Sequence, residues 1–504
     1  MAEAIPLTIV GIVIIAAIVL STLVKKLGQN PVMGFILAGF ILGPAVVGFL
    51  HPNDILVKGF GEMGLFILLF YLGLELSLKD FLKAGVTSLG LALIDMAFLI
   101  GIGFAVAYLA GFSFFFSLII GFMLFSTSTA IVAKFALDNN LLNLPSAKLA
   151  ISILILQDFL GILLLVLITT LVKAGTSFDF GITAIMFAAA TFFVVYQLSQ
   201  KVESWLLHNS FGHIEVTLYA LGVGLVVATL ADVLTLSTAL GAYFAGFALA
   251  ETTAGKKIKA DIQFLRDFFL LFFFVSFGTT IFFNTGLNTV VIPEIGELIF
   301  LLGVAFILAL GIIVVNLIVF SLFGPFFGLK REDASISAIM LTPLGEFVVI
   351  IAASTVALLS TKEAPQLPTI AFLLIATTLI IFQPLYKISS IHKKISALLP
   401  NLFPLRTNSV IIQHTPESIT RLKEFGINVF VIIAMGWISM LLYNQLPNFN
   451  VPIVYSREFT SVILFLLFAS VPAFKAGKAL KKLIYAARHH ELSELQEKLK
   501  VKSR

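Results

Sequence analysis

The chain has 504 residues, 59% of them hydrophobic and only 12% charged, with a formal net charge of +5 and a mean hydropathy of +1.08. A soluble domain would carry about twice that charged fraction, and 51 Phe residues in long apolar runs exceed what a water-facing fold can bury, so composition places the chain in a membrane. There is no Cys, which excludes disulfides, thiolate metal sites and a cysteine nucleophile.

A membrane span needs about 20 apolar residues. Runs bounded by charge, Pro or Gly clusters predict thirteen spans, at 5–24, 32–50, 60–78, 86–110, 114–134, 147–172, 180–198, 215–231, 236–250, 265–283, 296–323, 334–360 and 369–386. The first has no basic leader or small-residue cleavage site, so it is read as a retained span. Two further apolar runs follow, at 427–445 and 459–474, the last a short one that is either a span or an interfacial segment, and then a Lys-rich tail over 475–504 suited to a membrane surface. The seven His residues (51, 208, 213, 392, 414, 489 and 490) lie in or beside predicted loops, and no His-based metal site is expected.

Basic residues set the orientation. Nineteen of the 32 Lys and Arg follow the odd-numbered spans, four follow the even-numbered ones or the later runs, and nine are in the tail. The N-terminus is therefore expected outside, with the basic loops and tail cytoplasmic. This asymmetry accounts for the positive charge, so no nucleic-acid partner is implied, and no Lys or Arg is expected deep within a span.

The second span reads NPVMGFILAGFILGP (30–44) and the ninth LSTALGAYFAGFALA (236–250), each with an AGF triplet. GLFILLFYLGLELS (64–77) and DFFLLFFFVSFGTT (267–280) follow them. The pattern predicts two six-span halves joined by the 180–198 helix, the second inserted upside down. Inverted repeats of this kind build many secondary transporters.

Polar groups at depth point to the site. Asp158, in LILQDFLGILL (154–164), lies about twelve residues into its span, near mid-membrane at ~1.5 Å per residue. With no intramembrane Lys or Arg expected as partner, it must be protonated, cation-bound or open to a watery cavity. Such a carboxyl holds H⁺ or a metal cation, hardly both. Gln157 beside it offers an amide oxygen or orients the acid. The fifth span carries a hydroxyl run, Ser126, Thr127, Ser128 and Thr129, and the twelfth carries Pro343 and Gly345 in LTPLGEFVV (341–349). Hydroxyls satisfy unwound backbone, Pro removes a hydrogen bond and Gly loosens the chain. Paired interruptions at the fifth position of each half mark a midplane ion site.

Other buried polar residues are assigned lesser roles. Glu346 is placed to cap the half-helix after Gly345. Asp95 is either a second proton site or a packing contact. Glu75 is expected in an ion pair with a loop Lys. Asn316 is either helix glue or a support for the site. Glu62, Glu215 and Asp232 lie near span ends. No Gly-rich nucleotide loop is present, so ATP-driven pumping is not expected and no cofactor is implied.

These segments resemble the monovalent cation:proton antiporter-2 family, especially its glutathione-gated potassium efflux (Kef-type) branch. LGLEL (72–76), STSTAIV (126–132), LQDFLGI (156–162), LSTALGAYFAGFALA (236–250) and GEF (345–347) carry the likeness over about residues 5–390. The resemblance implies a homodimer. Each protomer would have core helices at about 86–172 and 296–386 and a dimerisation scaffold at about 5–78 and 215–283, with 180–198 as linker. The family's ion-binding Asp falls on Asp158 and its partner on Gln157, at a crossing of two broken spans, and the core would move as an elevator. Three features depart from the family. Asn316 stands where many members have a basic residue, Asp95 where a neutral one is usual, and residues 391–504 lack the Gly fingerprint of the Kef nucleotide-binding domain.

The expected fold is an all-α polytopic membrane protein: thirteen helices in two inverted six-helix repeats with two broken crossing helices, plus one or two C-terminal apolar segments. The expected function is exchange of H⁺ for K⁺, or for Na⁺, at a single buried Asp. Asp158, Gln157, Ser128 and Thr129 would bind the ion, with carbonyls near Pro343–Gly345 completing an oxygen shell. Thr127, Pro343, Gly345, Glu346, Asn316 and Asp95 would support it. The alternatives are a gated K⁺ efflux channel on the same scaffold and a non-transporting membrane sensor. An enzyme is not expected.

Overall fold

A computed structural model describes residues 7–387, apart from 27–28, 76–77, 140, 143, 175–177, 209–211, 235, 253, 325–330, 357–358 and 360–362; beyond them it describes only 474–475 and 477–478. The predicted runs at 427–445 and 459–474 and the tail therefore lie outside the described residues, those four positions excepted.

The first half of the chain forms α1 (Leu7–Lys26), α2 (Pro31–Leu42), α3 (Ile55–Glu75), α4 (Leu78–Leu109), α5 (Phe114–Leu124), α6 (Thr129–Asp138), α7 (Pro145–Ala174) and α8 (Phe178–His208). The second half forms α9 (His213–Val233), α10 (Thr238–Ala250), α11 (Gly255–Thr279), a short hairpin of β1 (Phe283–Asn284) and β2 (Thr289–Val290), α12 (Ile295–Phe323), α13 (Arg331–Met340), α14 (Phe347–Thr355) and α15 (Gln366–Lys387). Among the described residues seven helices are long and apolar enough to cross a membrane: α1, α3, α7, α9, α11, α12 and the Ser88–Leu109 part of α4. α2, α5, α10 and most of α15 are shorter apolar helices.

Local chemistry explains several helix starts. Asn30 accepts from the Val32 N–H, with Pro31 as the first helical residue. Ser113, Ser128 and Ser237 accept from the N–H three residues on and begin α5, α6 and α10. An N-cap oxygen satisfies one of the donors a helix start leaves open.

Some boundaries differ from the sequence expectation. The 32–50 run is helical only to Leu42. After Gly43 and Pro44 the chain folds back, and Val47 and Phe49 donate to the carbonyls of Ile41 and Leu42. α11 begins at Gly255, ten residues before the predicted span, because Lys256, Lys257, Lys259 and Asp261 lie on the helix and not in a loop. The end of that span leaves the helix and enters the hairpin, where Phe283 pairs with Val290 and Asn284 with Thr289.

Two groups of helices pack together. α3 lies against α10 and α11, with α2 and α1 alongside α11 and α9 and α8 beside α10. α4 packs against α5, α7 and α12, and α13, α14 and α15 complete that second group. Small residues set the spacing in the first. A Cβ on Gly39 of α2 would lie 2.9 Å from Gly278 Cα on α11, and one on Gly73 of α3 would lie 3.0 Å from Gly246 Cα on α10. Gly39 and Gly246 are the glycines of the AGF triplets at 38–40 and 245–247, and each meets the third helix of the opposite half.

Candidate functional site

Both predicted interruptions are present. α5 ends at Leu124 and α6 begins at Thr129; α13 ends at Met340 and α14 begins at Phe347. The extended stretches between them cross and pair as a minimal antiparallel ladder, with Thr127 opposite Leu344. Ser128 N–H donates to the Pro343 carbonyl at 2.8 Å, and Gly345 N–H donates to the Ser126 carbonyl at 2.9 Å. Each unwound strand thus satisfies the other's backbone, the condition for irregular chain at membrane depth.

Side chains secure the crossing. The Leu341 carbonyl, freed by the end of α13, accepts from Thr127 Oγ1 at 3.1 Å and from Asn316 Nδ2 at 3.1 Å. Asn316 Nδ2 also reaches the Ala338 carbonyl at 3.4 Å. The Leu344 N–H donates to Thr378 Oγ1 of α15 at 3.4 Å. Gly345 sits in a close approach of the two strands, since a Cβ there would lie 3.0 Å from Ser128 Cα and 3.2 Å from the Thr127 carbonyl oxygen.

Asp158 of α7 meets this crossing. Its Oδ2 accepts from Thr129 Oγ1 at 3.1 Å, at the first residue of α6. The partial positive charge at a helix N-terminus favours an anion there. Asp158 opens onto a cavity of about 480 Å³ whose lining also includes Glu75, Ser128, Thr129, Lys259 and Glu346. The mouth carries an ion pair, Lys259 Nζ to Glu75 Oε1 at 2.9 Å, close to the Tyr71 ring, over which Arg266 stacks at 4.1 Å.

The remaining predicted site residues divide by position. Ser128 caps α6 and lines the cavity. Gln157 is 2% exposed and lies outside the cavity lining. Pro343 is also outside it, and its carbonyl is taken by Ser128. Glu346 sits at the N-cap position of α14 but makes no cap hydrogen bond; its side chain faces the cavity. Asp95 is fully buried on α4 and Asn316 on α12.

Sequence reasoning missed Lys259 as a site neighbour. α11 extends outward past the predicted span and brings Lys259 to the cavity wall, where it pairs with Glu75 and not with Asp158. A run of charges adjoining an apolar stretch was the available signal, and a helix register would have been needed to read it. Among the described residues no cluster of three or more His, Asp or Glu is arranged to hold a metal ion.

The family model described as "Sodium/hydrogen exchanger, transmembrane" matches residues 12–387. The chain belongs to that family. Members of the sodium/hydrogen exchanger family are membrane transporters, not enzymes. The chain is 28% identical over 317 residues to the "Ammonium/H(+) antiporter subunit AmhT" of Alkalihalophilus pseudofirmus, covering 62% of this chain and 78% of that one. It is 26% identical over 359 residues to the "K(+)/H(+) antiporter subunit KhtU" of Bacillus subtilis, covering 68% and 84%. Among solved structures, the sodium proton antiporter MjNhaP1 from Methanocaldococcus jannaschii aligns with a TM-score of 0.49 at 16% identity, covering 78% of this chain and 98% of that one.

Proposed function

We propose that this exchanger-family protein trades H⁺ for K⁺ in preference to Na⁺, using Asp158 as the single exchanging carboxyl. The observation that carries this reading is a half-buried acid, held by Thr129 at the start of a half-helix and open to a cavity. A carboxylate with one hydrogen bond keeps lone pairs free for a cation, and as the acid it needs none. Ser128 and Thr129 hydroxyls and the Glu346 carboxylate supply further oxygens from the cavity wall. Gln157, sealed behind Asp158, orients the acid. The crossing carbonyls serve chiefly to pair the two breaks. One exchanging carboxyl gives one H⁺ per cation.

Alternating access would move α4–α7 and α12–α15 as the core against a scaffold of α1–α3 and α9–α11, with α8 as linker. The two packing groups support this division. The matched contacts of Gly39 and Gly246 support two inverted halves. The apolar outer faces of α1 and α9 suit a homodimer or lipid. The Glu75–Lys259 mouth lies on the side of the Lys-rich loops, which the charge rule makes cytoplasmic and which sets the N-terminus outside.

The test is pH-gradient dequenching in proteoliposomes with K⁺, Na⁺, Li⁺ and Rb⁺ added in turn. Asp158→Asn should fold, eluting as the parent does in detergent, and lose cation-dependent proton movement. Retained exchange in that variant overturns the assignment. Single-channel currents, or K⁺ flux that moves no protons, would replace exchange with a gated channel.

A further inference from the structure

The hairpin of β1 and β2 joins α11 to α12 and so connects the two packing groups. It lies at the end of the molecule away from the Asp158 mouth. Glu75 of that mouth ends α3, whereas His51 and Asn53 precede the start of α3, about 30 Å away along the helix. The hairpin is fastened to the first group there. His51 meets the Phe283 ring edge-on at 4.9 Å, and Phe40 of α2 meets Phe282 at 5.6 Å. Asn53 Nδ2 donates to Asn288 Oδ1 at 2.7 Å.

The hairpin is also fixed internally. Asn284 Oδ1 accepts from the N–H groups of Gly286 and Leu287 at 3.1 and 3.0 Å, and the Val291 N–H donates to the Phe282 carbonyl at 2.8 Å. Phe282 has a φ of 60° and Asn288 a φ of 54°. Left-handed backbone is costly for a bulky residue such as Phe and persists only where the surroundings determine it. The Phe40 ring and the Val291 bond do that here, which makes the hairpin a set piece of the first group.

α12 is fastened to the second group. Glu297 in its first turn accepts from Gln366 Nε2 of α15 at 2.8 Å, and Phe300 lies 6.0 Å, between ring centroids, from Phe112 just past α4. At the same end of that group Ser113, the cap of α5, donates from its N–H and its Oγ to the Glu363 carboxylate, each at 2.8 Å. The hairpin's last bond is made at Val291, and the first turn of α12 closes from the Leu298 N–H onto the Glu294 carbonyl at 2.9 Å. Ile292 and Pro293 lie between, outside both the ladder and the helix, with Ile292 67% exposed. Glu294 is extended, with φ −61° and ψ 156°.

We infer that Ile292–Glu294 is a hinge of the exchanger: the hairpin stays with the scaffold, and α12 swings about these residues when the core moves. At ~3.3 Å per residue the connector reaches about 10 Å, so the start of α12 pivots about Val291 and cannot slide away from the hairpin. The anchored hairpin thereby limits the stroke of the core. The inference rests on the reading of α12 as part of a moving core.

The chain has no Cys, so spin labels can be attached to introduced thiols alone. Ile55 at the start of α3, Leu109 at the end of α4 and Leu287 in the hairpin turn are 90%, 85% and 59% exposed and stand for scaffold, core and hairpin. The full-length chain carrying Ile55→Cys with Leu287→Cys, Leu109→Cys with Leu287→Cys, or Ile55→Cys with Leu109→Cys is labelled with nitroxides. Dipolar electron paramagnetic resonance then compares low pH without K⁺ and high pH with K⁺. The 55–287 distance should be the same in both, while 109–287 and 55–109 should change together. A changed 55–287 with a constant 109–287 would mean that the hairpin travels with the core, and overturns the inference. A 55–109 distance that stays constant removes the moving core itself, a failure of the underlying reading that the third pair alone reports. Ile292→Pro freezes one hinge torsion and should slow maximal exchange about three- to tenfold with parental melting. A parental rate in that variant also overturns the hinge, and if the variant does not fold the three distances decide.

Discussion

Ser128 and Pro343 are 215 residues apart in sequence, yet the N–H of one donates to the carbonyl of the other at 2.8 Å. With its companion from Gly345 to Ser126, this bond makes two broken helices a single structural unit. A cation site built on half-helix ends needs such a tie, because unpaired backbone at membrane depth is costly. The same tie fixes where Thr129 begins α6 and hence where Asp158 is held.

Gly345 is the tightest point of that unit. Ala there would push a methyl against Ser128 Cα at 3.0 Å and the Thr127 carbonyl oxygen at 3.2 Å, contacts made by backbone that is itself paired. Gly345→Ala should destabilise the crossing by about 1–3 kcal/mol, the usual weight of overpacking, and slow exchange. Gly345→Val should abolish it. Detergent melting curves and proteoliposome rates check this; a Val variant with parental rate would mean the strands separate freely.

Thr129 is expected to act through its hydroxyl alone. Thr129→Val preserves shape and removes the 3.1 Å bond to Asp158, so the KM for the transported cation should rise about five- to tenfold. Thr129→Ser should stay within about twofold of the parent, given that its hydroxyl can make the same bond. Initial rates across a K⁺ series in liposomes separate the two.

Much of this was legible in the sequence, for identifiable reasons. The breaks announce themselves through Pro343, Gly345 and a four-hydroxyl run, since few other residues tolerate unwound chain in a bilayer. Asp158 stands out because Gln157 is the only other polar residue in the run 154–164. Glu75 was assigned an ion pair from the loop charges, and Lys259 is that partner. What was not legible depends on register between distant helices. The cavity that joins Lys259 to Asp158 needs α3, α7, α11 and the crossing together. Helix ends were misplaced wherever charge continued onto a helix, as in α11, or where apolar chain left one, as after Leu42.

The scaffold glycines predict a contrast in stability. Ala at Gly246 would bring a Cβ to 3.0 Å from the Phe70 carbonyl carbon and 3.1 Å from Leu74 N, with the Phe70 oxygen closer still, so α3 and α10 must separate. Gly246→Ala should cost about 1–3 kcal/mol or more. Gly101 of α4 has open space around its Cβ position, and Gly101→Ala should be neutral or stabilising by up to about 1 kcal/mol. Fluorescence-detected melting of the two variants should order them on opposite sides of the parent.

Lys259 holds a positive charge on the wall of a cavity that a cation must enter. The pair with Glu75 is half-exposed, so its contribution to stability is small, roughly 0–1 kcal/mol. Its effect on ion occupancy is expected to be larger. Lys259→Gln leaves Glu75 uncompensated and should lower the KM for K⁺ about two- to fivefold at low ionic strength, with the gain fading toward 1 M salt as screening shortens. Glu75→Gln should do the reverse. The double variant removes one charge of each sign and should return near the parent value; a KM well away from it would mean the single shifts are not electrostatic.

Proton and cation compete for one carboxyl in this scheme, and the sign of the pH effect follows. Where Asp158 is mostly protonated, a cation must displace that proton, so lowering the pH by one unit should raise the apparent KM for K⁺ about tenfold. Where it is mostly ionised, KM should become independent of pH. The maximal rate at saturating K⁺ should not share the first slope, because saturating cation expels the proton. Initial rates over a grid of pH and K⁺ concentration measure the limiting slope of log KM against pH. A slope near one fits Asp158 acting alone, while a slope near two requires a second group that releases its proton when the cation binds, and Glu346 is the second carboxyl on the wall of the same cavity.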